Sequence, residues 1–247
     1  MSRPLLAMDG DSLAHRAYHA LPKTMTRAGG RPAGAIVGFA NFLVRLWESQ
    51  EPRAVLVGWD TLGVPTYRHE LFDSYQGGRE FDEAIVEQLA LLPELAQAMG
   101  FACAKADGFE ADDFLAAAVA AEEGRGGTAV VVTSDRDAFQ LVSERTTVLQ
   151  PVKGVSELAR IGPPEVRQRY GVDPGQVADF IALRGDPSDR LPGAKGVGPK
   201  TAAQVLSEYG SLAAALEAGR FSAQREELEL YRRIATLDAS APLPSPP

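Results

Sequence analysis

The stretch AVVVTSDRD, Ala129–Asp137, joins a β-branched apolar run to two carboxylates. Ala129–Thr133 has the length and composition of a strand buried on both faces of a parallel sheet. The same arrangement occurs twice more: Leu5–Met8 runs into Asp9, and Ala54–Val57 is followed by Asp60. Between these runs lie helical patterns over Ala33–Gln50, Phe81–Met99 and Ala111–Glu123, with apolar residues at three- and four-residue spacing. Strand–helix alternation implies an α/β class, a parallel sheet flanked by helices. Ligands of open parallel sheets bind at the carboxyl ends of the strands. Asp9, Asp60, Asp135 and Asp137 are therefore expected along one edge.

From about Gly162 the pattern changes to short helices punctuated by Gly and Pro: Pro163–Tyr170, Pro174–Arg184, Pro199–Tyr209 and Leu212–Ala218. A further helix is expected over Ala223–Leu237. The chain thus divides into an α/β domain over 1–161, a helical subdomain over 162–240 and an extended tail over 241–247, APLPSPP.

Two further groups of acids stand out. Glu110, Asp112 and Asp113 (FEADDF) open a helix, where one or two carboxylates interact well with the helix dipole. Three within four residues exceed what capping requires. Asp186 and Asp189 lie in GDPSDR, a run that also has the composition of a simple turn. Carboxylates gathered in one place repel unless cations join them. Oxygen-only ligands suit hard ions such as Mg²⁺ or Mn²⁺, and two such ions about 4 Å apart are suited to phosphodiester hydrolysis.

Charge and composition bear on the same question. The net charge of −8 is unusual for a protein that handles phosphates. Removing the nine clustered acids from the 33 leaves 24, against 25 basic residues, and divalent ions would add positive charge to that balance. One cysteine, Cys103, excludes an internal disulfide and fits a reducing compartment. With only His15, His19 and His69 beside it, a zinc site is not expected. No signal peptide is visible, and no run approaches the roughly 20 apolar residues needed to span a bilayer.

LPGAKGVGPKTAAQVL, Leu191–Leu206, leads through Gly196-Val197-Gly198 into a helix. Glycines let backbone approach a ligand closely, and the helix start attracts an anion. A nucleotide-binding P-loop does not fit, because Pro199 separates Gly198 from Lys200-Thr201. A helix–hairpin–helix element that grips a nucleic-acid backbone without reading bases fits better.

With these residues in view, the chain resembles the bacterial 5′–3′ exonuclease and flap-endonuclease family, whose nuclease also forms the N-terminal part of DNA polymerase I. The resemblance is carried by MDGDSLAHRAYHALP, GAIVGFANFLVRL, YRHEL with Arg79 after it, GFEADDF, VVVTSDRD, GDPSDRLPGAKGVGPKTAA and YRRIATLDASAPLP. A stand-alone member without a polymerase domain is expected.

The resemblance implies a resolvase-like (PIN-like) sheet with a helix-three-turn-helix subdomain, and a structure-specific nuclease acting in DNA replication and repair. By the same resemblance Asp9, Asp60, Glu110 and Asp112 hold one Mg²⁺ or Mn²⁺. Asp113, Asp135, Asp137, Asp186 and Asp189 complete or surround a second. Gly196, Gly198 and Lys200 hold duplex backbone with K⁺ at the hairpin, while Arg16, Arg68 and Arg79 face phosphates. A helical arch is expected near 77–99, over a 5′ single strand. The implied partner is DNA with a 5′ flap or junction, handled by a monomer in the bacterial cytoplasm, at the nucleoid and away from membranes.

Three residues depart from the family pattern. Tyr75-Gln76 stands where Tyr-Lys is usual, so Gln76 replaces the lysine, Ser134 replaces a turn glycine, and Arg190 stands where Asn is common. The segment after Arg79, Glu80–Leu95, carries Glu80, Asp82, Glu83, Glu87 and Glu94 with no Lys or Arg, whereas single strands prefer a basic groove. Two alternatives follow: a structure-specific DNA-binding protein with impaired catalysis, and a PIN-type ribonuclease, which would not need Leu191–Leu206.

Overall fold

The computed structural model describes residues 3–77, 82–153 and 157–244. In chain order the elements are β1 (Leu5–Asp9), α1 (Gly10–Ala20), β2 (Thr26–Arg27), β3 (Arg31–Pro32), α2 (Gly34–Gln50), β4 (Ala54–Gly58), α3 (Tyr67–Leu71), α4 (Glu83–Leu89), α5 (Leu92–Ala98), β5 (Ala102–Ala104), α6 (Ala111–Gly124) and β6 (Ala129–Val132). There follow β7 (Thr146–Lys153), β8 (Glu157–Ile161), α7 (Pro163–Tyr170), α8 (Val177–Arg184), α9 (Pro199–Tyr209), α10 (Leu212–Glu217) and α11 (Arg225–Ala235). Six strands form one sheet in the order β5–β4–β1–β6–β7–β8, and β2 pairs with β3 as a separate hairpin. All neighbours in the sheet are parallel except β7 and β8. The expected α/β sheet is therefore present, mostly parallel, with an antiparallel edge that the sequence reading did not anticipate.

Both faces of the central strands are buried. Leu5 and Ala7 of β1 and Val131 of β6 face the core beneath α6, where Phe114 and Leu115 are fully enclosed. Leu6 and Met8 of β1 and Val57 of β4 face the opposite core, with Phe39, Phe42 and Leu43 of α2. Alternate residues thus serve two apolar layers, which is why each strand reads as a continuous apolar run.

The expected helix over Phe81–Met99 is two helices, α4 and α5, and Phe81 lies outside the described residues. Pro93 has no amide hydrogen and its ring clashes with the carbonyl four residues back, so one helix cannot run through it. Of the arch expected near 77–99, residues 78–81 lie outside the described residues. Ile85, Leu89, Leu92 and Ala96 bury into the core with α2. Gln88, fully buried, accepts from the N–H of Ala35 at 2.8 Å and so caps α2, which has no cap of its own. Two acids of this segment have partners: Asp82 accepts from Tyr18 Oη at 2.5 Å, and Glu87 pairs with Arg27 at 2.6 Å and Arg31 at 3.7 Å.

In the helical part, α8 is enclosed on nearly all sides by α9, α10 and α11. Its buried Asp179 accepts from the N–H of Leu212 at 2.9 Å and pairs with Arg232 at 2.5 Å. The expected tail over 241–247 begins less freely than its composition implies. Ala241 is buried in the main core, and 245–247 lie outside the described residues.

Candidate metal centre and nucleic-acid interface

Asp9 ends β1, and Asp60 and Asp135 follow β4 and β6; the three strands are adjacent and parallel, so the topology delivers the acids to one edge. Gly58 is what lets the start of α6 reach the same place. A Cβ there would stand 2.7 Å from the carbonyl oxygen of Ala111. The approach is sealed by the N–H of Ala111, which donates to Asp60 Oδ1 at 2.7 Å. The result is an open cleft of about 890 Å³ lined by Asp9, Asp11, Asp60, Glu110, Asp112, Asp135, Asp137 and Asp186, with Arg16, Gln76, Arg136, Tyr170 and Arg184 on its walls.

Each carboxylate is oriented by local structure. Asp9 caps α1 through the N–H of Ser12 at 2.9 Å, and its other oxygen accepts from Thr133 Oγ1 at 2.7 Å. Thr133 Oγ1 also accepts from the N–H of Asp135 at 3.0 Å, tying the ends of β1 and β6 together. Glu110 accepts from Thr66 Oγ1 at 3.1 Å and Tyr75 Oη at 3.0 Å. Asp186 accepts from Arg184 Nη2 at 2.8 Å. Asp189 is buried behind the cleft and accepts from Gln76 Nε2 at 3.1 Å.

The electrostatics are those of an anionic site short of cations. Burial, then Asp60, pushes Asp9 up to about 7. Burial also carries Glu110 to about 7, against the pull of Arg68. Asp112 rises well above the carboxylate range through burial and the charges of Asp9 and Asp135. Asp137 rises through burial and Asp135, and Asp11 through burial and Asp60. Asp112 Oδ1 is buried without a hydrogen-bond donor. Such an oxygen is costly unless something positive meets it. Among the described residues, no three His, Cys, Asp or Glu side chains already converge in coordinating geometry. Binding of an ion would draw these oxygens away from their present donors.

Two expected site residues are elsewhere. Arg68, expected to face phosphates, is 2% exposed and forms a two-pronged pair with Asp113 at 2.7 and 2.8 Å. Its Nε donates to the carbonyl of Ile234 at 2.9 Å. Asp113, expected beside the second metal, is fully buried, and its remaining acceptor sites take the N–H groups of Glu110 and Asp238 at 3.0 and 2.8 Å. Its i, i+3 spacing from Glu110 serves a reciprocal cap instead, which turns it away from the cleft. The pair ties α3 and α6 to the end of α11.

Arg16 lies in the cleft wall on α1, whereas Arg79 lies outside the described residues. Gly196, with φ of 75°, and Gly198, the residue before α9, lie exposed on the α8–α9 connection, and exposed Lys200 lies in the first turn of α9; none of the three lines the cleft. Sequence reading did not assign Asp11, whose Oδ2 accepts from the N–H of Asp60 at 2.7 Å, or Thr133. The signal for Asp11 was present, two residues beyond Asp9 in the first turn of a helix. Arg136 and Arg184 were also missed, although each adjoins an assigned carboxylate group.

Known proteins share this sequence pattern and fold. The family model "5′-3′ exonuclease, N-terminal resolvase-like domain" matches residues 4–171, and "5′-3′ exonuclease, C-terminal SAM fold" matches residues 172–247. DNA polymerase I of Mycobacterium tuberculosis is 43% identical over 210 residues, covering 84% of this chain and 23% of the relative. DNA polymerase I of Deinococcus radiodurans is 42% identical over 215 residues, covering 87% and 22%. The chain thus spans about a quarter of the length of these relatives. Among solved structures, the 5′-exonuclease of bacteriophage T5 with bound zinc superposes with a TM-score of 0.79 at 19% identity, covering 96% of this chain and 90% of that one. The catalytic core of Rad2 with a DNA substrate gives 0.52 at 19% identity, covering 99% and 76%. These likenesses concern the fold; the sequence models extend it to ancestry, and since together they span residues 4–247, the chain belongs to the 5′–3′ exonuclease family.

Proposed function

We propose that this chain is a divalent-metal-dependent, structure-specific 5′ nuclease that hydrolyses DNA at the junction of a single strand with a duplex. The observation that carries the reading is the cleft itself. Carboxylates from three strand ends, the start of α6 and the 185–190 loop line it, and the buried oxygen of Asp112 lacks a donor. Asp9, Asp60, Glu110 and Asp112 would hold one ion, and Asp135, Asp137, Asp186 and Asp189 would hold or surround another. Oxygen donors alone favour Mg²⁺ or Mn²⁺. Two such ions supply a reactive water, a clamp on the phosphate and stabilisation of the leaving oxygen.

The chain's own residues prepare that chemistry. Thr133 and Ser12 fix the rotamer of Asp9, while Tyr75 and Thr66 fix Glu110. Arg16 and Arg136 supply positive charge on the walls for phosphates on either side of the scissile bond. Lys200 and the backbone around Gly196 and Gly198 would grip duplex phosphates, with K⁺ shared between hairpin carbonyls and DNA. A bacteriophage T5 flap endonuclease has been crystallised with DNA and metal ions, a precedent for this pairing of ligands. Hydrolysis would leave a 5′-phosphate on the duplex product.

The enzyme would act as a monomer in the bacterial cytoplasm at the nucleoid; no helix among the described residues is long and apolar enough to cross a membrane. A labelled 5′-flap duplex incubated with Mg²⁺, Mn²⁺ or EDTA tests the reading. Cleavage near the junction that EDTA abolishes is expected. Binding without cleavage would instead favour a catalytically impaired junction binder, the reading that neutral Gln76 at the cleft wall supports.

A further inference from the structure

Gln76 forms part of the cleft wall and brings no charge to it. Its amide nitrogen donates to Tyr75 Oη at 2.8 Å and to Asp189 Oδ1 at 3.1 Å. A carboxamide has two N–H donors, so both are turned toward the protein and neither is offered to a phosphate. Arg184, the cation nearest in sequence to the 185–190 loop, is similarly committed. It donates to Asp186 at 2.8 Å and to the carbonyl of Gly185 at 2.9 Å, and it lies over the ring of Phe180.

Arg190 differs from both. Its φ of 57° is in the left-handed region, which a residue with a side chain adopts only where its surroundings hold it. The hold is visible: Asp186 and Leu191 exchange backbone hydrogen bonds at 2.9 and 2.8 Å, closing the loop on either side. The turn carries the guanidinium to the Gln76–Gly77 segment. Nη1 stands 3.2 Å, and Cζ 3.6 Å, from where a Cβ on Gly77 would be. Glycine at 77 therefore leaves room for the arginine beside the neutral stretch of wall. Arg190 is exposed, and among the described residues no hydrogen bond or ion pair engages its side chain. Its five donors, in a fork that matches phosphate geometry, stand beside Gly77, the neighbour of the cleft-wall residue Gln76.

Resting on the nuclease reading above, we infer that Arg190 is a catalytic residue that binds a non-bridging oxygen of the scissile phosphate, supplying the positive charge that Gln76 does not. As the water oxygen bonds to phosphorus and the P–O3′ bond breaks, negative charge on the phosphoryl oxygens redistributes. A fixed guanidinium favours that state over the ground state.

The test uses the full chain in single-turnover cleavage of a labelled 5′-flap duplex with Mg²⁺, beside affinity for the same duplex in Ca²⁺ and thermal melting. Arg190→Ala should slow cleavage about thirtyfold, below the roughly hundredfold or more that loss of one fully buried transition-state donor costs, because Arg190 is exposed. Affinity should stay within about threefold, and Arg190→Lys should retain most of the rate. Arg190→Gly, which relieves the left-handed backbone, should lose the same rate without a lower melting temperature, separating charge from folding. Gln76→Lys in the Arg190→Ala background should recover most of the loss by returning a cation to the same wall. A parent that cuts, with Arg190→Ala within about twofold of it, overturns this inference alone. So does a loss that Gln76→Lys leaves unrepaired or that appears wholly in affinity. A parent that does not cut overturns both readings.

Discussion

Replacing Asp113 by Asn would remove one charge from a carboxylate that solvent does not reach. Its oxygens accept four hydrogen bonds: two from Arg68 at 2.7 and 2.8 Å, one from the N–H of Asp238 at 2.8 Å and one from the N–H of Glu110 at 3.0 Å. The amide is the same size but keeps one oxygen, so its nitrogen must meet groups that are themselves donors. Arg68, 2% exposed, is left with Glu110 at 3.3 Å as its remaining counter-charge. Removing one partner of a buried pair costs about 3–5 kcal/mol, a large part of the roughly 5–15 kcal/mol that holds a domain folded. In a chain of this size each kcal/mol is worth about 2–4 °C, so the melting temperature should fall by about 6–20 °C. Circular dichroism in EDTA reads this without a contribution from metal. Changing both residues, Arg68→Met with Asp113→Leu, should recover about half of the loss or more, because no buried charge is then left unpaired. A single variant that melts within about 2 °C of the parent yet fails to cleave would refute the structural role and return Asp113 to the metals.

Asp135→Asn should slow flap cleavage in Mg²⁺ by at least about a hundredfold while leaving metal-free stability intact or higher; cleavage at the parent rate would exclude Asp135 from the ion site. Lys200→Ala should weaken binding to unrelated duplexes about equally in Ca²⁺ and reduce the salt slope by about one, whereas a loss confined to one sequence would mean base readout. For pH, Asp9 and Glu110 are raised to about 7 in the fold, so the folded chain holds protons that the unfolded chain releases near 4. Their stabilising contribution is complete below the ordinary carboxylate range and is lost as pH rises through about 7. The metal-free melting temperature should fall between about pH 4 and 7 and level off above that, and Mg²⁺ should restore it; a flat or rising profile over that window would contradict the crowding of acids.

The sheet and the strand-end acids were legible because the central strands are buried on both faces and stop at carboxylates. The roles of Asp113 and Arg68 were not. Spacing puts Asp113 on the same helical face as Glu110, but whether that face meets the cleft or the core depends on where α11 docks, and Ile234 and Asp238 are more than a hundred residues away in sequence. Strands β5 and β8 were hidden for related reasons. Ala102–Ala104 is too short to show a period, and β8 is an edge strand with exposed polar residues. The charge of α4 was legible as composition, yet its neutralisation by Arg27 and Arg31 depends on a hairpin of two-residue strands that no pattern announced.

The position of β1 has a consequence for how the molecule is made. It is the earliest strand in the chain and lies inside the sheet, bonded to residues 54–58 on one side and 129–132 on the other. During synthesis, at about 5–20 residues per second, its first partner emerges after several seconds and its second later still. Until then Leu5–Met8 has both hydrogen-bonding edges open. Helix α1 and helix α2, whose packing on each other is local, can form in that interval, so the nascent chain would first present an α-helical hairpin with an unpaired apolar strand at its root. The segment that later carries the first acid of the cleft is thus one that a ribosome-bound chaperone would meet with both edges still open.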